Sequence, residues 1–132
     1  MKKESIKVFA PATVANVVCG FDILGFAVNE PGDELEMEFS NKPGVNITEI
    51  IGDEGKLPLD PHKNTVSASV ISLLKHLNRQ DVGCNLKLTK KMPMGSGLGS
   101  SSASAVAGLF AANEVLGQPL SRIELLPFAM EG

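Results

Sequence analysis

The chain has 132 residues, a formal net charge of −3 and 43% hydrophobic residues. That length suits one compact domain, and the ordinary apolar content excludes a disordered chain. A slight acidic excess with only two arginines, Arg79 and Arg122, argues against a nucleic-acid-binding face, and no apolar run approaches the roughly 18 residues that span a bilayer.

In chain order, Met1-Lys2-Lys3-Glu4 lacks the apolar stretch of a secretory signal and leads directly into a strand over residues 6–10. A cytoplasmic protein with reduced thiols is expected, since Cys19 and Cys84 form no disulfide framework and lie too far from His62 and His76 for a zinc spacing. Residues 11–20 read as a loop, and the apolar run 21–28 as a buried strand or bent hairpin arm. Pro31-Gly32-Asp33 reads as a turn. The strict alternation that follows predicts a strand with Leu35, Met37 and Phe39 inward and Glu34, Glu36 and Glu38 on a solvated face. Residues 45–51 give another strand, and 52–63 a polar loop with Pro58 and Pro61. A helix is predicted over 64–77, with Asn64 or Thr65 as N-cap and an apolar stripe through Val66, Val70 and Leu74. Residues 84–88 alternate as a strand with Lys87 and Lys90 outward. A helix of small residues follows over 101–116 and stops at Gly117-Gln118-Pro119. The last helix, 121–130, opens on a capping box of Ser121 and Glu124 and meets Pro127 beyond its first turn, where a kink or break is expected.

Strands lead and helices cluster late. This order predicts an α+β fold, a largely antiparallel sheet with helices on one face. The chain stops at Glu131-Gly132 directly after an apolar helical stretch, as a truncated chain would.

The most informative segment is Pro93-Met94-Gly95-Ser96-Gly97-Leu98-Gly99-Ser100-Ser101-Ser102-Ala103. Alternate glycines admit positive φ and leave backbone N–H groups uncovered by side chains. A helix opens at once, and its free N–H groups and positive dipole end attract an anion such as phosphate. Three serines offer hydroxyls to phosphate or Mg²⁺, and Lys90 and Lys91 stand just upstream. The segment lacks the Gly-Lys-[Ser/Thr] ending of a P-loop, and Ser100 occupies the final glycine position of a dinucleotide fingerprint.

Pro-x-Gly-Ser-Gly-Leu-Gly-Ser-Ser-Ser-Ala resembles the ATP-phosphate loop of the galactokinase, homoserine kinase, mevalonate kinase and phosphomevalonate kinase (GHMP) superfamily. The pattern from Ala10-Pro11-Ala12 through Asn16 to Gly20-Phe21-Asp22-Ile23-Leu24-Gly25 is similar to the first motif of homoserine kinases. One departure is Val17-Val18-Cys19, which stands where the family usually has a glycine and often a proline. The resemblance covers the whole chain but only the N-terminal part of such an enzyme. It implies that residues 1–132 are a GHMP kinase N-terminal ATP-binding domain of the ribosomal protein S5 domain 2-like fold, with the C-terminal domain absent.

Residue by residue, the resemblance implies that Asn16 and Asp22 line the amino-acid pocket and that Asn64 lies on the adenine side. Lys90 or Lys91 would approach the triphosphate. Ser101, or its neighbour Ser100, would bind Mg²⁺ together with Glu131. The implied reaction is ATP-dependent phosphorylation of the side-chain hydroxyl of L-homoserine to O-phospho-L-homoserine, in threonine biosynthesis. ATP and Mg²⁺ are the implied cofactors, and the full-length enzyme is expected to be a homodimer with no nucleic-acid or membrane partner. The 132-residue chain alone is expected to be inactive. The rival readings are another small-molecule kinase of the superfamily, acting on mevalonate or a sugar alcohol, and a non-catalytic domain of the same fold.

Overall fold

The structure, a computed structural model, describes residues 4–15, 25–92 and 99–130. Its elements are β1 (Ser5–Ala15), β2 (Gly25–Ser40), β3 (Gly44–Ile51), α1 (Thr65–His76), β4 (Gly83–Thr89), α2 (Ser100–Val115) and α3 (Arg122–Ala129). The strands form one sheet in the order β1-β2-β4-β3. β2 pairs antiparallel with β1 and with β4, whereas β3 and β4 run parallel. A parallel pair needs a crossover, and α1 supplies it between β3 and β4.

Alternation sorts the sheet into two faces. Val8, Leu35 and Leu88 lie in register across β1, β2 and β4, and Ile6, Met37 and Leu86 form the next row. Leu35, Met37, Leu86 and Leu88 are almost wholly buried, each contributing about 1.5–3 kcal/mol relative to an exposed side chain. The opposite face carries Lys7, Glu36, Lys87 and Glu49 as a row of alternating charge across all four strands. Its ion pairs, Lys7–Glu36 at 3.9 Å and Lys87–Glu49 at 3.8 Å, are solvent-exposed and contribute little to stability. The expected inward apolar residues and outward Glu34, Glu36 and Glu38 are therefore as the alternation predicts.

The helices cover the apolar face. α2 packs on β1 and β2, and α1 on β3 and α2. The α1–α2 crossing is close because Gly108 has no side chain: a Cβ there would stand 2.8 Å from the Val66 carbonyl oxygen. Ser69 spans the same crossing, its hydroxyl lying 3.0 Å from the Val66 carbonyl oxygen and 3.2 Å from that of Ala105. α2 is buried along most of its length, as its small apolar residues predict. Burial pushes the Cys84 thiol up to about 11, which suits a core residue and not a reactive one.

Four local expectations are corrected. β1 continues through Pro11 to Ala15, where a loop was expected from residue 11. Pro31-Gly32-Asp33 lies inside β2 and is not a hairpin turn. The β1–β2 ladder passes from Pro11–Gly32 to Thr13–Ala27, so residues 28–31 bulge opposite Ala12, with a cis peptide at Glu30–Pro31. The turn signal thus marks an irregularity within a long strand. Finally, Lys90 is buried and does not point outward. The expected break at Pro127 is also not seen, since α3 runs through it.

Candidate functional site

The three helices begin differently. α3 is closed by its capping box: the Glu124 amide donates to Ser121 Oγ at 3.3 Å, and the Ser121 amide donates to Glu124 Oε2 at 2.7 Å. α1 is capped by Asn64, whose Oδ1 accepts from the Val66 amide at 3.2 Å. α2 has no side-chain cap. It starts from Gly99 at φ 74°, ψ 31°, and its first helical bond runs from the Ala103 amide to the Gly99 carbonyl at 2.8 Å. The amides of Ser100, Ser101 and Ser102 therefore precede the intrahelical ladder, and no acid stands in the first turn to compete for them. The start of α1 is adjacent, with Thr65 Oγ1 reaching the Ser101 carbonyl at 3.5 Å, so the positive ends of two helix dipoles are neighbours.

A buried carboxylate underlies this corner. Asp33 Oδ1 accepts from the amides of Lys91 at 2.8 Å and Met92 at 3.1 Å. Its Oδ2 accepts from Ser100 Oγ at 2.9 Å and from the Lys90 ammonium at 2.7 Å. Lys90 Nζ donates further to the Ser100 carbonyl at 3.1 Å and to Ser104 Oγ at 2.8 Å. All three ammonium protons thus have acceptors, the condition under which a buried lysine can stay charged. Lys91 points the other way, to Glu34 Oε1 at 2.8 Å on the charged sheet face. The hydrogen bond from Lys91, and next that from Lys7, hold the Glu34 carboxyl below its usual range.

These contacts place the candidate residues. Ser100 is committed to Asp33, whereas Ser101 and Ser102 are exposed and make no side-chain hydrogen bond to any described residue. Ala103 is buried beneath them. Asn64 is buried; beyond its cap, its Nδ2 donates to the Pro58 carbonyl at 3.0 Å and ties residues 52–64 to α1. In the same loop Asp53 accepts from the amides of Leu57 at 2.9 Å and Gly55 at 3.1 Å, and these bonds, Leu57 first, lower its pKa. Asn16, Asp22, Pro93, Met94, Gly95, Ser96, Gly97, Leu98 and Glu131 lie outside the described residues. Among the described residues no three His, Cys, Asp or Glu side chains gather to hold a metal.

Beside Ser102 an apolar groove of about 500 Å³ opens between β1, α2 and α3, with Phe9, Val106, Phe110 and Leu126 among its walls. The Arg122 guanidinium covers the Phe110 ring at 5.8 Å. No helix among the described residues is long and apolar enough to cross a membrane.

Asp33 is the residue that sequence reasoning missed. The alternation that turns Leu35, Met37 and Phe39 inward also turns Asp33 inward if the strand is extended one step back. Reading Pro31-Gly32-Asp33 as a turn cut that pattern short.

The family profile described as the GHMP kinases N terminal domain matches residues 64–132, which include α1, β4, the glycine-serine segment, α2 and α3. The chain belongs to the GHMP kinases. It is 51% identical to the homoserine kinase of Chloroherpeton thalassium, over 94% of this chain and 42% of that protein. It is likewise 51% identical to the homoserine kinase of Chlorobium phaeovibrioides, over 98% of this chain and 43% of that protein. The crystal structure of homoserine kinase from Cytophaga hutchinsonii superposes with a TM-score of 0.95 at 60% identity, covering 99% of this chain and 41% of that one. A mevalonate kinase structure, at 18% identity and a TM-score of 0.73, shares the fold. The chain thus spans less than half the length of the curated relatives it matches.

Proposed function

We propose that this GHMP kinase chain is the N-terminal, ATP-binding domain of a homoserine kinase. The whole enzyme would transfer the γ-phosphoryl group of ATP to the side-chain hydroxyl of L-homoserine, releasing ADP and O-phospho-L-homoserine. The observation that carries the reading is the uncapped N-terminus of α2, reached directly from a glycine-serine segment. Phosphoryl transfer depends on positioning and charge neutralisation more than on covalent chemistry, and oriented amides supply both.

Roles follow from what each side chain has left to offer. The amides of Ser100, Ser101 and Ser102 and the segment 93–98 would cradle the β- and γ-phosphates. Ser101 fits a Mg²⁺ ligand better than Ser100, because the Ser100 hydroxyl is held inward on buried Asp33 whereas the Ser101 side chain is exposed. Glu131 would complete the protein's share of the metal shell; a hydroxyl, one carboxylate and substrate phosphates suit Mg²⁺, which would neutralise charge on the transferring phosphate. Asn64 would shape the adenine side through its hold on the Pro58 carbonyl. Lys91 would lend positive charge from the surface, whereas Lys90 would act through the groups it anchors. Asn16 and Asp22 would align the homoserine hydroxyl, with Asp22 orienting it or accepting its proton. With this reading goes a cytoplasmic homodimer in threonine biosynthesis, with no nucleic-acid or membrane partner.

The test is coupled ADP release by the full-length protein with ATP, Mg²⁺ and a panel of L-homoserine, mevalonate and galactose. Turnover with homoserine at least a hundredfold above the other two is expected. Preference for another acceptor would reassign the substrate, and binding of no nucleotide at all would leave the non-catalytic reading.

A further inference from the structure

We propose that Asp33 is a positioning residue for the N-terminus of α2, a single buried carboxylate that clamps the first residue of that helix to the backbone of Lys91 and Met92. The inference rests on the ATP-binding reading above. Its basis is the division of labour between the two oxygens. Oδ1 takes the amides of Lys91 and Met92, the last described residues before segment 93–98. Oδ2 takes the hydroxyl of Ser100, the first residue of α2 after it. Lys90 doubles the second link, since its ammonium bonds both to Asp33 Oδ2 and to the Ser100 carbonyl.

Every acceptor and donor in this cluster is used, and no described buried side-chain polar atom is left without a partner. A satisfied network in a low-dielectric interior is rigid, because any displacement strands a charge or a donor. Asp33 itself is held by β2, which pairs on both sides through Glu34 and Leu35. The clamp therefore ties the start of α2, together with Lys91 and Met92, to the middle of the sheet. Rotating the start of α2 by a fraction of a turn would misdirect the amides that face the phosphates, and catalysis by oriented dipoles is steeply sensitive to such misplacement. Asp33 makes no contact with substrate in this scheme; it acts through Ser100, Lys90 and the backbone.

The experiment compares Asp33→Asn with Asn113→Ala in the full-length protein. Asn113 is a buried link at the far end of the same helix, where its Nδ2 donates to the Leu120 carbonyl at 2.8 Å and its Oδ1 accepts from the Leu120 amide at 3.1 Å. Asn at position 33 can still accept two amides through its oxygen, but the Nδ2 that replaces Oδ2 accepts from neither Lys90 nor Ser100. MgATP affinity by calorimetry, KM for ATP, KM for L-homoserine and Tm are measured for each. Asp33→Asn should weaken MgATP binding and raise KM for ATP at least tenfold, with KM for homoserine within twofold of the parent. Asn113→Ala should lower Tm with MgATP affinity within twofold.

Unchanged MgATP affinity in a folded Asp33→Asn protein would overturn the proposal, and so would equal losses of affinity in the two variants at matched loss of Tm. If Asp33→Asn does not fold, Ser104→Ala takes its place, removing one acceptor of Lys90 while the ion pair stays. A threefold loss of MgATP affinity is then expected, and no loss would overturn the clamp. A parent that binds MgATP but leaves homoserine unphosphorylated fails the homoserine reading alone, and the clamp is judged on the binding arm.

Discussion

α2 and α3 both begin at a serine-containing junction, yet their N-termini are built to opposite ends. At α3, Ser121 and Glu124 satisfy one another's backbone amides, and the Glu124 carboxylate stands in the first turn where an anion would otherwise sit. At α2, a left-handed glycine and three serines leave the first amides without a side-chain cap. A cap on α2 would have contributed about 1 kcal/mol of stability. Its omission at the helix that follows the glycine-serine segment is what the proposed ATP site asks of that N-terminus. The cost is met beneath it, where Asp33 and Lys90 fix the helix start from the core side.

The largest effect should come from closing the open end. Gly99 has φ 74°, and a Cβ there would collide with Thr13 Oγ1. Gly99→Val should weaken MgATP binding by the full-length protein at least tenfold, about 1.4 kcal/mol. Gly117, at φ 87° just past the other end of α2, is the matched control. Gly117→Ala carries a comparable backbone cost, about 1–2 kcal/mol, and should lower Tm while ATP affinity holds. If both glycine variants lose nucleotide equally, the two ends of α2 do not differ in function.

Ser101→Ala sharpens the same comparison by removing an exposed hydroxyl without touching the buried cluster. Steady-state kinetics with saturating ATP and Mg²⁺ should show kcat reduced at least tenfold with Tm unchanged. Ser121→Ala is the mirror experiment at α3. It should cost about 1 kcal/mol in denaturant unfolding and leave KM for ATP within twofold.

How much of this contrast was legible in the sequence depends on the range of the signal. The capping box of α3, the Asn64 cap and the inward alternation of β2 are local patterns, and the structure reproduces them. The start of α2 directly after the glycine-serine segment was also readable, because glycine spacing and helix onset are local. Lys90 was not. Alternation from the outward Lys87 turns position 90, three residues on, to the inner face with Leu86 and Leu88, but a lysine was expected in solvent; its side chain turns in to Asp33, 57 residues away in sequence. Asp33 was hidden by a stronger local cue, Pro31-Gly32, which marks a bulge where a turn was expected. Both misses are long-range pairings, and each residue makes sense only in the presence of the other.

The smallest expected effect concerns a third set of amides, in residues 53–57. There the protein supplies its own anion: Asp53 occupies the Gly55 and Leu57 amides as a ligand would occupy those of α2. These bonds favour the ionised carboxyl, so its folded pKa lies below the ordinary value of 3.8. The contribution to stability is therefore complete above the unfolded pKa and disappears as pH falls through the folded one. Asp53→Asn keeps one acceptor oxygen and removes the charge. In urea titrations the parent should exceed this variant in stability by a constant margin from pH 7 down to about 5, and the margin should shrink toward zero below about pH 4. The same titration should leave MgATP affinity at pH 7 within twofold in both proteins, because Asp53 serves only its own turn. A margin independent of pH would mean that the charge of Asp53 is immaterial and that its amide contacts are ordinary neutral hydrogen bonds.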